Sequence, residues 1–567
     1  MMDNFGFQLK KCNFAPIMKN QRFLTVLVLA LGCWLMASAV PARRGQWKTL
    51  RLTDGTEVRA QLMGDETLHY WQDANGFTYV CSDEEDIYVR ATHAMESKLQ
   101  AKRNARVARR MPSRRAMESP HKYTGKKKGL VILAQYPNKK FALGSDSLKF
   151  TRLLNERGFA EGSFKGSVQD YFFDQSGGKF ELDFDVFGPV TLPQAYGYYG
   201  KDVGEEGDDV RPGEMIIDAC NLVDHMVNFA DYDWDGDGWV DQVFVVYAGM
   251  GQADGGIAAT IWPHEWDLWD AVGHTLNLDG VIINTYACGN ELDGQEKLGG
   301  IGTFCHEFSH CLGLPDMYDT RPNGSNFGMG PWDLMDQGSY GGGGFRPAGY
   351  TSYEKMVCGW QEPIVLSEST EVTGMKALSE GGDTYIIYND ACKDEYYLLE
   401  NRQLTRWDKE LYGAGLLILH VDYDEEAWEQ NTVNNVSTHQ RCTIIHADNS
   451  DAWTYRGLKG DVYPYQRNDS LTNLSTPKAS VFNKNTDGSR LMNKAVLDIK
   501  QNADGTISFK FRGTKDDPSA IHTPTIDPWT NPDGKVYGID GTLLRTRESD
   551  LPKGTLYIEN GKKHIKK

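Results

Sequence analysis

The chain has 567 residues, of which 40% are hydrophobic and 24% charged, and its formal net charge is -18. This length exceeds what one hydrophobic core supports, so we expect several domains. The strongly acidic charge argues against nucleic acid and anionic membranes as the main partners. Ten scattered cysteines do not make a disulfide framework, although they leave room for one or two bridges.

The N-terminus carries the pattern of a secretory signal peptide. A short basic stretch precedes an apolar run, Phe23–Met36, and small residues follow at 37–39 (ASA) and 40–42 (VPA). This order predicts export and removal of residues 1–42, with Met18 as an alternative start. The apolar run is too short to span a bilayer comfortably, so a membrane anchor is the weaker alternative. We expect a mature chain without a transmembrane span.

The next segment, residues 43–122, has the features of a propeptide. Short strand-like pieces end near residue 90, with a hairpin signal at residues 75–76 (NG). Between Lys98 and Lys128 there are twelve Lys and Arg but only one acidic residue. The paired arginines in this basic linker predict protease-sensitive sites between two folded units. A solvated linker that is never cleaved is the alternative.

Mixed strands and helices are predicted from residue 123 to about 362. Gly129–Tyr136 and Val243–Tyr247 are continuous apolar runs, typical of buried strands, and Phe180–Val186 alternates as a strand does. Val168–Phe173 and Met215–Val227 have the pattern of helices.

Beyond this region the helical signal fades and strand patterns dominate. The predicted strands are 385–388, 396–400, 415–422, 442–446 and 507–511. A proline-rich linker follows at 516–534, and residues 535–567 form a miniature β pattern.

The segment HEFSHCLGLPDMYD, residues 306–319, contains the pattern H-E-x-x-H. Residues four apart share one face of a helix, so His306 and His310 can bind one ion, and imidazole nitrogens suit zinc. Glu307 is adjacent but rotated, which suits a general base that is not itself a ligand. These five letters alone are a weak signal, because the pattern also arises by chance.

The surrounding residues strengthen the zinc prediction. Apolar spacing predicts a buried helix over 302–312, and Gly313 ends it because glycine accepts the left-handed turn. Pro315 cannot continue the helix, so the chain bends back just after His310. In the metzincin pattern H-E-x-x-H-x-x-G-x-x-H this bend carries a third histidine to the metal. Here that position is Asp316, and a carboxylate binds zinc at nearly the same distance.

Three further positions near the motif are candidates. We expect Asp319, three residues beyond Asp316, to have a supporting role or to bind calcium rather than zinc. Metzincins have a methionine-containing turn beneath the zinc, and Met335 is the candidate for it, with simple core packing as the alternative. Tyr340, or a backbone group, is the candidate for stabilising the oxyanion.

A second metal site is predicted at an acidic run whose carboxylates are Asp233, Asp235, Asp237 and Asp241. The order D-x-D-x-D-G presents alternating carboxylates with glycine at a sharp turn, as calcium loops do. It is not an EF-hand, because Phe244 stands where that loop has glutamate and the next segment reads as a strand. An acidic turn that binds no metal is the alternative.

Several motifs together resemble the immune-inhibitor-A-like secreted bacterial metalloproteases. They are SVQDYFFDQSGGKFEL (167–182), DYDWDGDGWVDQVFVVYAG (231–249), IWPHEWDL (261–268), GTFCHEFSHCLGLPDMYD (302–319), GPWDLMDQGSY (330–340) and EYYLLENRQ…GAGLLILHVD (395–422). The resemblance covers about 125–515 and implies a zinc endopeptidase made with a propeptide. It also places His264 near the substrate, although a hydrogen-bonded histidine is the plainer interpretation. The tail resembles bacterial sorting or anchoring modules.

We therefore predict an α+β protein, secreted or displayed by a bacterium. Its parts are a signal peptide (1–42), a propeptide (43–122), a metzincin/zincin-like catalytic domain of mixed sheet plus zinc helix (123–362), a β-rich domain (363–515), a linker (516–534) and a tail (535–567). The predicted activity is zinc-dependent hydrolysis of protein or peptide substrates, with Glu307 as general base. The alternatives are a catalytically silent surface binding protein and a zinc hydrolase of non-peptide amides.

Overall fold

The computed structural model describes residues 40–513, apart from 67, 83–85, 96, 98–122, 202–208 and 322–323. In the tail it describes residues 536–538, 543–544, 551–559 and 562–567. The predicted signal peptide before residue 40, most of the basic linker and the linker at 516–534 lie outside the described residues. The described chain contains both helices and strands, which agrees with the coarse part of the α+β prediction.

The first unit is a small closed barrel of five strands. They are β1 (Trp47–Leu52), β2 (Glu57–Asp65), β3 (Leu68–Asp73), β4 (Thr78–Cys81) and β5 (Ile87–Arg90). Closure comes from β1, which pairs antiparallel with β2 and parallel with β5. The inner residues Leu62 and Trp71 share one apolar cluster with Ala253 and Trp262 of the next unit. The barrel therefore packs directly on that unit.

A five-stranded mixed sheet forms the centre of the next unit. Its strands are β6 (Gly125–Gln135), β7 (Phe180–Thr191), β8 (Val243–Met250), β9 (His264–Asp267) and β12 (Thr285–Leu292), with the hairpin β10 (Leu276–Leu278) and β11 (Val281–Ile283) beside it. The order is β7-β6-β8-β12-β9. Only the edge strand β9 runs antiparallel to its neighbour.

Helices cover both faces of this sheet. They are α1 (Ser147–Asn155), α2 (Val168–Gln175), α3 (Tyr196–Gly200), α4 (Pro212–Val223), α5 (Leu268–Val272) and α6 (Gly302–Cys311), and a further helix, α7 (Ser352–Val357), follows them in the chain. Along β6, Leu130 and Ile132 join the core beneath α4, while Val131 and Leu133 join the core beneath α6. Burial on both faces explains why this strand reads as one continuous apolar run.

Strands dominate the region after residue 362. They are β13 (Ile364–Val365), β14 (Thr370–Met375), β15 (Tyr385–Tyr388), β16 (Glu395–Arg402), β17 (Gly415–Asp422), β18 (Cys442–Ile444), β19 (Ala495–Gln501) and β20 (Ile507–Arg512), with short helices α8 (Glu425–Glu429) and α9 (Tyr455–Lys459). They form sheets of order β13-β15-β16-β17-β18 and β14-β20-β19. Leu398 and Leu419 of this β-rich region lie in the same core cluster as Phe308 of α6. The two regions therefore share a core.

The tail contains four further strands. They are β21 (Val536–Gly538), β22 (Leu543–Leu544), β23 (Leu556–Glu559) and β24 (Lys562–Ile565), which form one sheet.

Across the described residues, no helix is long and apolar enough to cross a bilayer. The eight cysteines in the described part are free thiols, so the one or two bridges that the sequence allows do not form among them.

Candidate active site

Helix α6 presents His306 and His310 on one face. The opposite face is apolar and packs on the sheet, where the ring of Phe304 stacks on Phe244 at 3.9 Å between centroids. Phe308 packs against Phe184 in the same core. This burial fixes the rotation of the helix, and the Nε2 atoms of the two histidines lie 3.1 Å apart.

The other ring nitrogen of each histidine is held by a backbone carbonyl. His306 Nδ1 lies 2.8 Å from the oxygen of Leu334, and His310 Nδ1 lies 2.7 Å from the oxygen of Leu314. A carbonyl only accepts, so the proton of each neutral ring is on Nδ1 and the Nε2 lone pairs face each other. Partners of this kind orient the histidine ligands of metal sites.

The bend after the helix brings Asp316 to the same point. Gly313 has φ of 85°, which glycine adopts readily and which ends the helix as predicted. Asp316 Oδ1 lies 3.2 Å from His306 Nε2 and 3.3 Å from His310 Nε2. Asp319 is turned away and pairs with the guanidinium of Arg321 at 2.6 Å.

The three converging atoms fit a zinc ion. All three side chains are buried, and Asp316 Oδ1 has no hydrogen-bond donor in the described part of the chain. A buried carboxylate facing two imidazole lone pairs requires a cation, and two nitrogens plus one oxygen suit zinc.

Glu307 lies beside this group and is fully buried. Its Oε1 accepts a hydrogen bond of 2.9 Å from the backbone N–H of Val40, whereas its Oε2 has no partner among the described residues. Burial raises the pKa of Glu307 well above its ordinary value, and the bond from Val40 opposes that rise.

Residues 40–44, which we call the N-terminal strap, lie across the site. Trp262 Nε1 donates to the carbonyl of Val40 at 3.0 Å, and Tyr340 Oη donates to that of Pro41 at 2.7 Å. Gln337 binds the strap twice, through the carbonyl of Ala42 at 3.2 Å and the N–H of Arg44 at 3.2 Å. Residues 40–42 fall within the predicted signal peptide, and no local sequence pattern marks their contact with the site.

Met335 and His264 are the remaining candidates for the site, and both are buried. Met335 is fully buried and accepts from the N–H of Met317 at 2.8 Å, next to the Leu334 carbonyl that holds His306. His264 lies in β9, with Nδ1 2.7 Å from the carbonyl of Trp262 and Nε2 3.1 Å from a tyrosine hydroxyl. Burial lowers the pKa of His264 to about 4, so its ring is neutral.

The acidic run before β8 folds into a tight loop. Carboxylate oxygens of Asp233, Asp235 and Asp237 lie within 4.8 Å of one another. Asp233 also accepts from the N–H groups of Gly236 at 2.8 Å and Gly238 at 2.9 Å. Asp241 is not in this group, because its Oδ2 accepts from the backbone N–H of Trp234 at 2.5 Å. The structure therefore brings three of the four predicted calcium ligands together.

The buried His-His-carboxylate group has the donor set of a metal site, and the segment that contains it is similar to known metallopeptidases. Residues 147–361 match the family described as Immune inhibitor A peptidase M6, catalytic domain. This segment is similar to that family, which confirms the resemblance predicted from its motifs.

Two similar relatives carry names of the same kind. The chain is 28% identical over 212 residues to Pre-pro-metalloprotease PrtV of Vibrio cholerae serotype O1 (strain M66-2), a match that covers 33% of this chain and 23% of the relative. It is 26% identical over 222 residues to Immune inhibitor A of Bacillus thuringiensis subsp. alesti, covering 34% of this chain and 32% of the relative. The matches thus span less than a third of either relative's length.

Proposed function

We propose that the protein is a secreted zinc endopeptidase made as a latent precursor. The observation that carries this proposal is the convergence of three buried acceptor atoms, from His306, His310 and Asp316, beside the carboxylate of Glu307. Their separations of 3.1 to 3.3 Å would be repulsive without a cation at their centre. Zinc, when bound there, supplies electrophilic activation of the scissile carbonyl and of water.

Glu307 acts as the general base. Its carboxylate takes a proton from the attacking water and passes it to the leaving amine of the peptide. The position of Val40 supports this role, because its backbone nitrogen lies 2.9 Å from Oε1, where a leaving nitrogen would receive the proton. The second oxygen, Oε2, has no partner among the described residues and is available to water.

Two further side chains support the reaction. Tyr340 stabilises the developing oxyanion, a role supported by its hydroxyl, which already donates to a peptide carbonyl, that of Pro41, at 2.7 Å. Met335 forms the floor of the site, supported by its complete burial beside the Leu334 carbonyl that orients His306.

Latency is supported by the strap. Residues 40–44 cover Glu307 and continue directly into the barrel, where Leu62 donates to the carbonyl of Gln46 at 3.3 Å. Cleavage in the basic linker would free the barrel from the catalytic unit, and the strap would leave with it. Val40 and Ala42 are buried in the folded protein, which favours signal-peptide cleavage after residue 39 rather than after 42.

The acidic loop is a calcium site under this proposal. Three clustered carboxylates and two glycines of positive φ, Gly236 and Gly238, support it. The site would hold the chain in place just before the buried strand β8.

The tail would sort or anchor the exported protein at the bacterial surface.

One experiment tests the proposed function. The purified precursor is treated briefly with trypsin, and hydrolysis of casein is followed with and without a zinc chelator. We expect cleavage between Arg103 and Lys128, a rise in activity, and loss of that activity with chelator. No hydrolysis by correctly processed, zinc-loaded protein would favour the silent binding protein. A hydrolase of non-peptide amides would cleave small amides and leave casein intact.

A further inference from the structure

Asp316, the third side chain of the proposed zinc site, is held by a residue that lies outside residues 147–361, the segment similar to the peptidase family. Asn431 lies in the β-rich region, just after α8, and is buried. Its Nδ2 donates to Asp316 Oδ2 at 2.6 Å, and its Oδ1 accepts from the backbone N–H of Asp316 at 2.7 Å. Both polar ends of one amide side chain are therefore committed to a single aspartate.

These two hydrogen bonds determine how the carboxylate of Asp316 is oriented toward the histidines. With Oδ2 taken by the amide of Asn431, only Oδ1 of Asp316 faces the two histidines, at 3.2 and 3.3 Å. The bond to the backbone N–H of Asp316 also fixes the chain at the bend. The carboxylate can neither rotate nor withdraw without breaking a buried hydrogen bond.

Asn431 is itself held firmly. It has φ of 48°, a left-handed conformation that asparagine tolerates, and its carbonyl accepts from Thr320 Oγ1 at 2.8 Å. Asn434, in the same loop, donates to the carbonyl of Met317 at 2.7 Å and pairs with the backbone of Cys442 on β18. The loop thus connects the bend after the zinc helix to the sheet of the β-rich region.

We propose that Asn431 is the positioning residue of the metal site, which makes the β-rich region an integral part of that site. Asn431 holds Asp316 as a ligand through one oxygen and so pre-organises the group for a tetrahedral ion. The inference rests on the proposed function, because it assumes that His306, His310 and Asp316 bind zinc. Partners that orient metal ligands typically contribute about 10–100-fold to metal affinity.

Two full-length variants separate this role from a structural one. Asn431→Gly accepts the left-handed conformation and removes both bonds to Asp316. Asn431→Asp keeps the shape and the acceptor for the backbone N–H but replaces the donor to Oδ2 with a second carboxylate oxygen, which repels Asp316. The matched control is Asn435→Ala, because Asn435 lies in the same loop and donates from Nδ2 to Thr320 Oγ1 at 3.0 Å rather than to Asp316.

Zinc affinity is measured by competition with a chromophoric chelator, and the visible absorption of the cobalt-substituted protein reports the ligand geometry. We expect both Asn431 variants to bind zinc about 10–100-fold more weakly and to show altered cobalt spectra. Asn435→Ala should match wild type in both, even if all three variants melt at lower temperature without metal.

Wild-type affinity and spectrum in either folded Asn431 variant would overturn the proposal. Failure of wild type itself to bind zinc would instead overturn the proposed function. If Asn431→Gly does not fold, Asn431→Asp carries the test, because it preserves the volume and the backbone contact.

Discussion

The backbone N–H of Val40 donates a hydrogen bond to Oε1 of Glu307, a contact between residues 267 positions apart. It places the first described residue of the chain against the proposed general base. Four further contacts from Trp262, Gln337 and Tyr340 hold the strap in the same position. The strap and a substrate therefore compete for one site, which is the physical basis of the latency that we propose.

Weakening the strap should make the unprocessed precursor partly active. The guanidinium of Arg44 lies over the ring of Trp453 at 3.9 Å, and such a contact at a solvent-exposed position is worth about 0.5–1 kcal/mol. Arg44→Ala should therefore raise the activity of the uncleaved precursor by about 2–5-fold.

The assay is peptide hydrolysis by precursor shown to be intact by mass spectrometry. Arg51→Ala is the control, since Arg51 is an exposed arginine on β1 and lies outside the strap. Equal activity of the two variants would count against a contribution of Arg44 to latency.

Zinc content should distinguish the two aspartates after the helix. Asp316→Ala removes the carboxylate whose Oδ1 lies 3.2 and 3.3 Å from the two histidines, so the variant should lose zinc on dialysis. Asp319→Ala should retain it, because Asp319 pairs with Arg321 and accepts from backbone N–H groups instead. Asp316→His should partly restore binding, since histidine is the metzincin ligand at this position.

Metal analysis of the dialysed proteins provides the readout. About one zinc per chain in Asp316→Ala would mean that the third ligand lies elsewhere, and Asp319 would be the first candidate.

The part of the site that lies within one local segment was predictable from sequence. The histidine spacing, the helix stop at Gly313 and the bend toward Asp316 are each set by a few neighbouring residues, and the structure brings these side chains together. Helix α4 differs in detail. It spans Pro212–Val223 rather than Met215–Val227, because proline suits the first turn of a helix.

The two contacts that join distant segments could not be predicted. Val40 meets Glu307 and Asn431 meets Asp316 across 267 and 115 positions, and neither leaves a periodic or motif signal. The strand patterns that marked a β-rich domain also did not reveal that its core merges with that of α6. Such packing depends on how whole sheets and helices pack against one another, not on the local preference of a segment for helix or strand.

Calcium should stabilise the catalytic unit through the acidic loop. Asp235→Asn removes one of three clustered carboxylates and should abolish most of the rise in melting temperature that calcium causes. A ligand at 100 times its dissociation constant stabilises the folded state by about 2.7 kcal/mol.

The measurement is thermal unfolding with and without calcium, with Asp224→Asn, an exposed aspartate at the end of α4, as control. A wild-type melting temperature that does not respond to calcium would show that the loop is an acidic turn without metal.

The central claim is tested most directly by Glu307→Gln in the processed protein. The amide cannot take a proton from water, but it leaves His306, His310 and Asp316 in place. Zinc content and the rate of peptide hydrolysis are measured on the same sample. We predict wild-type zinc content with a rate lower by roughly a hundredfold or more. Near-normal hydrolysis by this variant would contradict the account.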